Sequence, residues 1–478
     1  MKHPVVRAAV AAVAAGVTAV LLSACADVGM RPYQQPATPA KAAWSNSAKL
    51  PLSRAELIVP DWWRAFRDPT LDQLVGRAIA GNIDLAVLAA RIGVAEAQIG
   101  EARAGALPTL EAGAGASFEK TTGQKFSKQF NLATQTVWDI DIWGKVEKGV
   151  QAQKAEFSAT EADWRAGYLK LVADVSTTYF QILQFDEQID QQQRALARNR
   201  EILATYQAMA QNGLVPQTRV LQQSAEVNRL NTDLIELRRL RALAGNALAT
   251  LIGVPAGEYQ VPGGRLQERV RVPEVPEGLP SQLLKRRPDI VAAEYRVLEA
   301  YDLSGQAKLA QLPSISLTGH GGTASFALSS LFKSFTFGLL PSINFPIFDP
   351  GVKAHVKTSE AQAKVAEQEY RSTVMAAFEE VENALVNLDA HKKQRGELQQ
   401  QVDQLQLVAT TTDAQRKEGV ATQLEVFETE RSLLAAQLAL LASQQQILSD
   451  TVTLYKVLGG GWPALDVHNA QAGGANGR

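Results

Sequence analysis

Four stretches of the chain alternate apolar and polar side chains with the period-2 rhythm of a strand that has one apolar face. In the first, Leu110, Ala112, Ala114, Ala116 and Phe118 alternate with Thr109, Glu111, Gly113, Gly115 and Ser117. In the second, Phe130, Leu132, Trp138, Ile140 and Ile142 share a parity with Thr134 and Thr136, against Gln129, Asn131, Gln135, Asp139 and Asp141. The third opens with Ile315 and Leu317 against Ser314, Ser316 and Thr318. In the fourth, Phe335, Phe337, Leu339, Ile343, Phe345 and Ile347 oppose Ser334, Thr336, Gly338, Ser342 and Asn344, with Leu340 out of phase. The pattern predicts two β-hairpins, at 109–142 and 313–347. Most of these runs reach about 10 residues, the length that spans a bilayer when tilted.

Helical periodicity fills most of the rest. No proline occurs from Thr109 to Val215 or from Gly351 to Trp462, and beyond the strands these stretches are dense in good helix formers. Val172, Val175, Tyr179 and Ile182 follow coiled-coil spacing, as do Leu398, Val402, Leu405 and Ala409, and Leu434, Leu438, Leu441 and Leu448. One continuous helix is expected from about Lys145 to Gln211, roughly 100 Å at 1.5 Å per residue. The helices should turn back at Gly213-Leu214-Val215-Pro216 and at Gly419-Val420.

These parts occur twice. Leu107-Pro108 is echoed by Leu312-Pro313, Gly144 by Gly351 and Gly213 by Gly419, each pair about 206 residues apart. A constant offset of that size marks a duplication of half the chain, far longer than a solenoid repeat. The expected division is a first repeat at 61–265, a proline-bearing linker at 266–280 and a second repeat at 281–462. A polar, Gly- and Ala-rich tail at 463–478 is expected to be disordered.

The N-terminus sets the compartment. Lys2, His3 and Arg7 precede an apolar run from Ala8 to Leu22, as in a secretory signal peptide covering 1–24. Leu22-Ser23-Ala24-Cys25 resembles a lipobox and contains the chain's only cysteine, so Cys25 is the expected lipidation site. It would carry diacylglycerol and an N-acyl chain, and two or more acyl chains anchor stably. Aspartate stands at 27 rather than directly after the cysteine, which in lipoproteins favours the outer membrane. Residues 25–60 read as a surface tether.

Composition removes alternatives. Lys+Arg number 48 and Asp+Glu 49, so no basic excess exists to bind a nucleic acid. One Cys and 5 His supply neither a disulfide framework nor a cysteine-histidine metal cluster. No cofactor and no enzymatic activity are expected. His320, in Thr318-Gly319-His320-Gly321-Gly322, reads as a turn at a strand end without any G-x-S-x-G nucleophile motif. His355 and His391 read as solvated helix positions, and Gly459-Gly460-Gly461 lacks the Lys-Ser/Thr of a phosphate loop.

If the strands cross a membrane, four cannot close a cylinder, because the smallest such barrels use about eight. Open edges cannot face lipid. Several chains must then share one barrel, with the polar strand faces lining its interior.

The chain resembles the TolC-like outer-membrane efflux protein family, in its lipoprotein branch of OprM- and NodT-type proteins. The resemblance is carried by Trp62-Trp63-Arg64-Ala65-Phe66-Arg67-Asp68-Pro69, then Leu71, Leu74, Ala78, Asn82 and Asp84, Leu107-Pro108, Leu283-Leu284-Lys285-Arg286-Arg287-Pro288-Asp289-Ile290, Ala293-Glu294 and Leu312-Pro313. It implies an α+β fold: a homotrimer with a long coiled-coil α-helical barrel and a transmembrane β-barrel, about 12-stranded, to which each chain gives four strands. It also implies partnership with a periplasmic adaptor and an inner-membrane pump, commonly of the resistance-nodulation-division type. In this family the helix after the second turn carries acidic residues at a periplasmic aperture, which here places Glu425 and Glu428 as the candidate ring. The bland reading of those two is a solvated helix face with Glu428 paired to Arg431. The matching first-repeat positions are Arg219 and Gln222, so the two hairpins differ in charge. The implied function is a passive exit channel for small molecules. An exit duct for type I protein secretion and a periplasmic adaptor lipoprotein are the alternatives.

Overall fold

A computed structural model describes residues 33–38, 41, 44, 45, 61–120, 122, 123, 126–275 and 284–460. The expected signal peptide, Cys25, most of the tether, the end of the linker and the tail lie outside these residues.

The two halves run through the same series of elements. Helix α1 is Pro69–Gly81. The first series is then α2 (Ile83–Ala104), β1 (Thr109–Glu119), β2 (Ser127–Ile140), α3 (Lys145–Gln211) and α4 (Gln217–Leu251). The second is α5 (Pro288–Leu309), β3 (Ser314–Ser325), β4 (Thr336–Asn344), α6 (Pro350–Lys417) and α7 (Gln423–Val457). Corresponding helices have 22 and 22, 67 and 68, and 35 and 35 residues, as a duplication requires. The long helices turn back at Gly213 (φ 69°) and Gly419 (φ 78°), left-handed positions that a side chain would strain. In both turns the next residue donates back to the helix, Leu214 N to Met209 O at 2.9 Å and Val420 N to Gln415 O at 2.8 Å.

Packing divides the described residues into two units. One takes its residues from 1–38, 90–161 and 292–372 and holds the sheet, in the order β1-β2-β3-β4 with every neighbour antiparallel. Within it α3 and α5 meet through charged groups, with Lys148 Nζ 2.7 Å from the buried carboxylate of Asp302 and Arg296 Nε 3.7 Å from Glu156. Glu299 also faces Glu156. Burial, and then the neighbouring Glu156 charge, push the Glu299 carboxyl up to about 7. Gln35 Nε2 donates to Glu294 Oε2 at 2.9 Å and to Tyr370 Oη at 3.1 Å, so this part of the tether is fastened to helices.

The other unit takes its residues from 39–89, 162–291 and 373–478 and has an aromatic core. The Trp62-to-Pro69 motif builds it: Trp62 stacks on Tyr455 at 5.0 Å, and Phe66 meets Phe180 at 5.1 Å. Asp68 caps α1 by accepting from Thr70 N at 2.8 Å, and its other oxygen accepts from Tyr179 Oη at 2.6 Å. Val172, Val175, Tyr179 and Ile182, the predicted coiled-coil positions, are all fully buried. Arg287, next to the helix-starting Pro288, forks onto Asp289 at 3.0 and 2.6 Å and reaches Glu380 at 2.7 Å. It thereby ties the start of α5 to α6.

Candidate functional site

Strand register turns four separate alternations into two continuous faces. Leu110 pairs with Thr136, Ala112 with Thr134, Ala114 with Leu132 and Ala116 with Phe130. Trp138 pairs with Leu317 and Ile140 with Ile315. Ile315 then pairs with Ile343, Gly319 with Leu339 and Gly321 with Phe337. One face is therefore apolar across all four strands. The opposite face carries Glu111, Gln135, Asp139, His320, Ser316 and Ser342, among others.

Both faces are largely open, apart from Thr323 on β3, which is buried where its hydroxyl donates to Leu331 O. Every residue of β1 is exposed, and in β4 all but Gly338 are. Leu110 is 73% exposed, Leu339 67% and Phe337 81%, values that a half-buried soluble sheet does not leave on its apolar side. Each such side chain forgoes about 1.5–3 kcal/mol by staying in water. Among the described residues, the outer edges of β1 and β4 are also unpaired. Pro341, inside β4 opposite Leu317, has no backbone N–H to give to a ladder. The strands run up, down, up, down, so β1 of a second copy laid against β4 would be antiparallel to it.

Aromatic side chains cluster at both ends of the sheet. At the hairpin end, Phe118 stacks on Phe126 at 6.4 Å and meets Phe130 edge-on at 6.0 Å, and Phe326, Phe332 and Phe335 stand exposed. At the helix end, Trp138 Nε1 donates to Ala106 O at 2.9 Å and Trp143 Nε1 to Pro313 O at 2.7 Å. Rings whose polar edges are satisfied while their bodies stay apolar suit a membrane interface. Among the described residues, no single helix is long and apolar enough to cross a membrane.

His320 requires a correction. It lies in the middle of β3, not in a turn at a strand end. The surrounding glycines answer to crowding between strands: a Cβ at Gly322 would fall 2.6 Å from Leu132 O, and one at Gly338 2.5 Å from the His320 ring.

The second helical turn positions the two candidate aperture residues differently. Thr422 and Glu425 form a capping box at the start of α7. Glu425 Oε2 accepts from Thr422 N at 2.6 Å and from Thr422 Oγ1 at 2.9 Å, and Thr422 Oγ1 accepts from Glu425 N at 3.3 Å. The backbone N–H of Thr422, and then its hydroxyl, hold the Glu425 carboxyl below the ordinary carboxylate range. Glu428 lies exposed one turn on, and forms no ion pair with Arg431. Its neighbour Glu430 instead pairs with Arg198 at 2.8 Å, on the wall of a cavity of about 720 Å³ also lined by Glu226, Asp413, Lys417 and Arg431. In the first half α4 starts at Gln217 behind Pro216 with no side-chain cap, so the two hairpins differ in structure as well as charge.

His391 also departs from expectation. It is no solvated helix position, for its Nδ1 lies 2.5 Å from Oδ2 of buried Asp450, which accepts from Gln446 Nε2 at 3.0 Å. A partner 59 residues away leaves no local signal in sequence. The fork from Arg287 to Glu380 was likewise hidden. Among the described residues no cluster of His, Cys, Asp and Glu could hold a metal ion.

Comparison with known proteins matches the description Outer membrane efflux protein to residues 74–254 and 279–460, once in each half. The chain is 30% identical over 438 residues to the pyoverdine export outer membrane protein OpmQ of Pseudomonas putida, covering 88% of this chain and 92% of that one. It is 29% identical over 465 residues to SilC of Salmonella typhimurium, a probable outer membrane lipoprotein, covering 93% and 97%. Its fold superposes on the open-state MtrE outer membrane channel of Neisseria gonorrhoeae with a TM-score of 0.81 at 30% identity, covering 90% and 98%.

Proposed function

Because this chain belongs to the outer membrane efflux protein family, we propose that three copies of it form one passive exit duct of a tripartite efflux system. It resides in the outer membrane and acts there as an efflux channel. One observation supports the shared duct above all: a four-stranded sheet whose register sorts its residues into an apolar and a polar face, both largely open, between two open edges. Placing β4 of each chain beside β1 of the next closes the cylinder, removes the edges, gives the apolar face to lipid and the polar face to water.

In this reading the chain catalyses nothing and selects little. Energy and cargo choice come from an inner-membrane pump, coupled through a periplasmic adaptor. Cys25 carries the acyl chains that hold the N-terminus in the membrane. The repeats at 61–265 and 281–462 each give one strand hairpin and one helical hairpin. Glu425 and Glu428 lie one helical turn apart, and three-fold symmetry makes each a ring that favours cations at the periplasmic aperture.

The test is reconstitution of the full lipidated chain in a planar bilayer, with the detergent-extracted mass measured in parallel. A three-chain species giving discrete conductance steps is expected. A monomer without conductance would overturn the reading and favour an adaptor lipoprotein.

A further inference from the structure

The polar face of the sheet contains one rung of unusual composition. Glu111 on β1 pairs with Gln135 on β2, Gln135 with His320 on β3, and His320 with Gly338 on β4. One carboxylate and one imidazole thus share a level of the sheet, two strand spacings or roughly 9.6 Å apart. Gly338 is what admits the ring. With no Cβ there, the imidazole lies against the β4 backbone, its Cε1 and Nε2 occupying the space 2.5 and 2.6 Å from where that carbon would be.

We propose that the Glu111–His320 rung is a charge-switching ring in the β-barrel lumen that sets how strongly the exit pore prefers cations. The inference rests on the three-chain duct described above. Each chain gives the rung one carboxylate, from Glu111, and one imidazole, from His320. Histidine is the side chain that ordinarily gains a proton between pH 8 and 5, and each imidazolium would cancel one carboxylate on its own level. The cation preference of this level therefore falls as the pH drops.

Few other charges face His320. On the same side of β2 the charged residue is Asp139, four positions along from Gln135. On β1 they are Glu111 and Glu119, and β4 contributes Thr336, Gly338, Leu340, Ser342 and Asn344, none charged. Lys333 ends the short helical segment Leu328–Lys333 between β3 and β4, and Lys128 lies on the apolar-face parity. The rung is thus the one level of this face where a histidine stands against a carboxylate. Such a level acts on ions passing through a water-filled lumen independently of the acidic residues at the helical turn.

Reversal potentials of the full chain in a planar bilayer under a potassium chloride gradient test this, at about pH 7.5 and about pH 5.5. The channel should lose a severalfold part of its cation preference at the lower pH. His320→Gln should keep the preference at the higher pH and lose most of the drop between the two. Glu111→Gln should weaken the preference already at the higher pH. Because Glu425 and Glu428 lie in series, each variant is also measured in an E425Q/E428Q background, where the rung's share of the signal is larger. A pH response unchanged by His320→Gln in both backgrounds would overturn the ring while leaving the channel intact. Absence of conductance from the unaltered chain would instead sink the duct. His320→Cys supplies the placement. A charged, water-soluble thiol reagent should step the conductance of the open channel, and no reaction would overturn a lumenal position.

Discussion

At the residue scale, several side chains act through partners distant in sequence. Tyr179 donates to Asp68 within a buried core, so Tyr179→Phe leaves a desolvated carboxylate oxygen without its donor. The expected loss is about 1–3 kcal/mol by denaturant titration of the detergent-solubilised protein, and no change would mean that another donor takes over. Gly253 is constrained more tightly. It has φ 74°, and a Cβ there would sit 1.9 Å from Gly81 O, a backbone atom that cannot rotate away. Gly253→Ala should cost on the order of 1–3 kcal/mol from strain alone, read in the same titration. In the proposed aperture ring, Glu425 would combine two roles, a charge and a cap. Glutamine can replace glutamate in a capping box, so Glu425→Gln should remove charge while α7 keeps its cap. The reduced cation preference should appear in bilayer recordings without loss of thermal stability, whereas Glu425→Ala should lose both.

At the element scale, the α3–α5 contact carries a pH dependence. Glu299 has its carboxyl raised to about 7 by burial and then by Glu156, so the folded state holds a proton that the unfolded state releases near the ordinary glutamate range. A raised folded value makes the contribution complete at low pH and lost as pH rises through about 7. Melting temperature should fall across that window, and Glu299→Gln should flatten the slope; an unchanged slope would assign it to another group. The strands teach what a sequence discloses. Leu110 and Phe337 were legible as members of an apolar face because parity is local. That both belong to one face depended on register, which no single strand contains. From sequence His320 reads as a turn because glycines flank it, and glycine signals both a turn and close approach of strands. His391 and Arg287 were invisible for another reason: their partners Asp450 and Glu380 come from helix packing between distant segments. The capping box at Thr422-x-x-Glu425 was written in the sequence but overshadowed by the charge of its carboxylate.

At the scale of the whole molecule, a sheet largely open on both faces and at both edges is an unfinished object in water. In the proposed duct the remedy is a membrane together with further copies of the same chain, and the up-and-down strand order lets copies join without a change of direction. Duplication explains why each chain brings two matched hairpins of strand and helix, and divergence between the halves explains why one helical turn is acidic and capped while the other is neither. The measurement that bears most directly on this account is collisional accessibility of spin labels at Leu110→Cys, Phe337→Cys and Gln135→Cys in the membrane-embedded protein. Labels at 110 and 337 should be reached by lipid-soluble oxygen and shielded from a water-soluble nickel chelate, and the label at 135 should show the reverse. Equal access of the chelate to all three positions would contradict a sheet with lipid on one face and a water-filled lumen on the other.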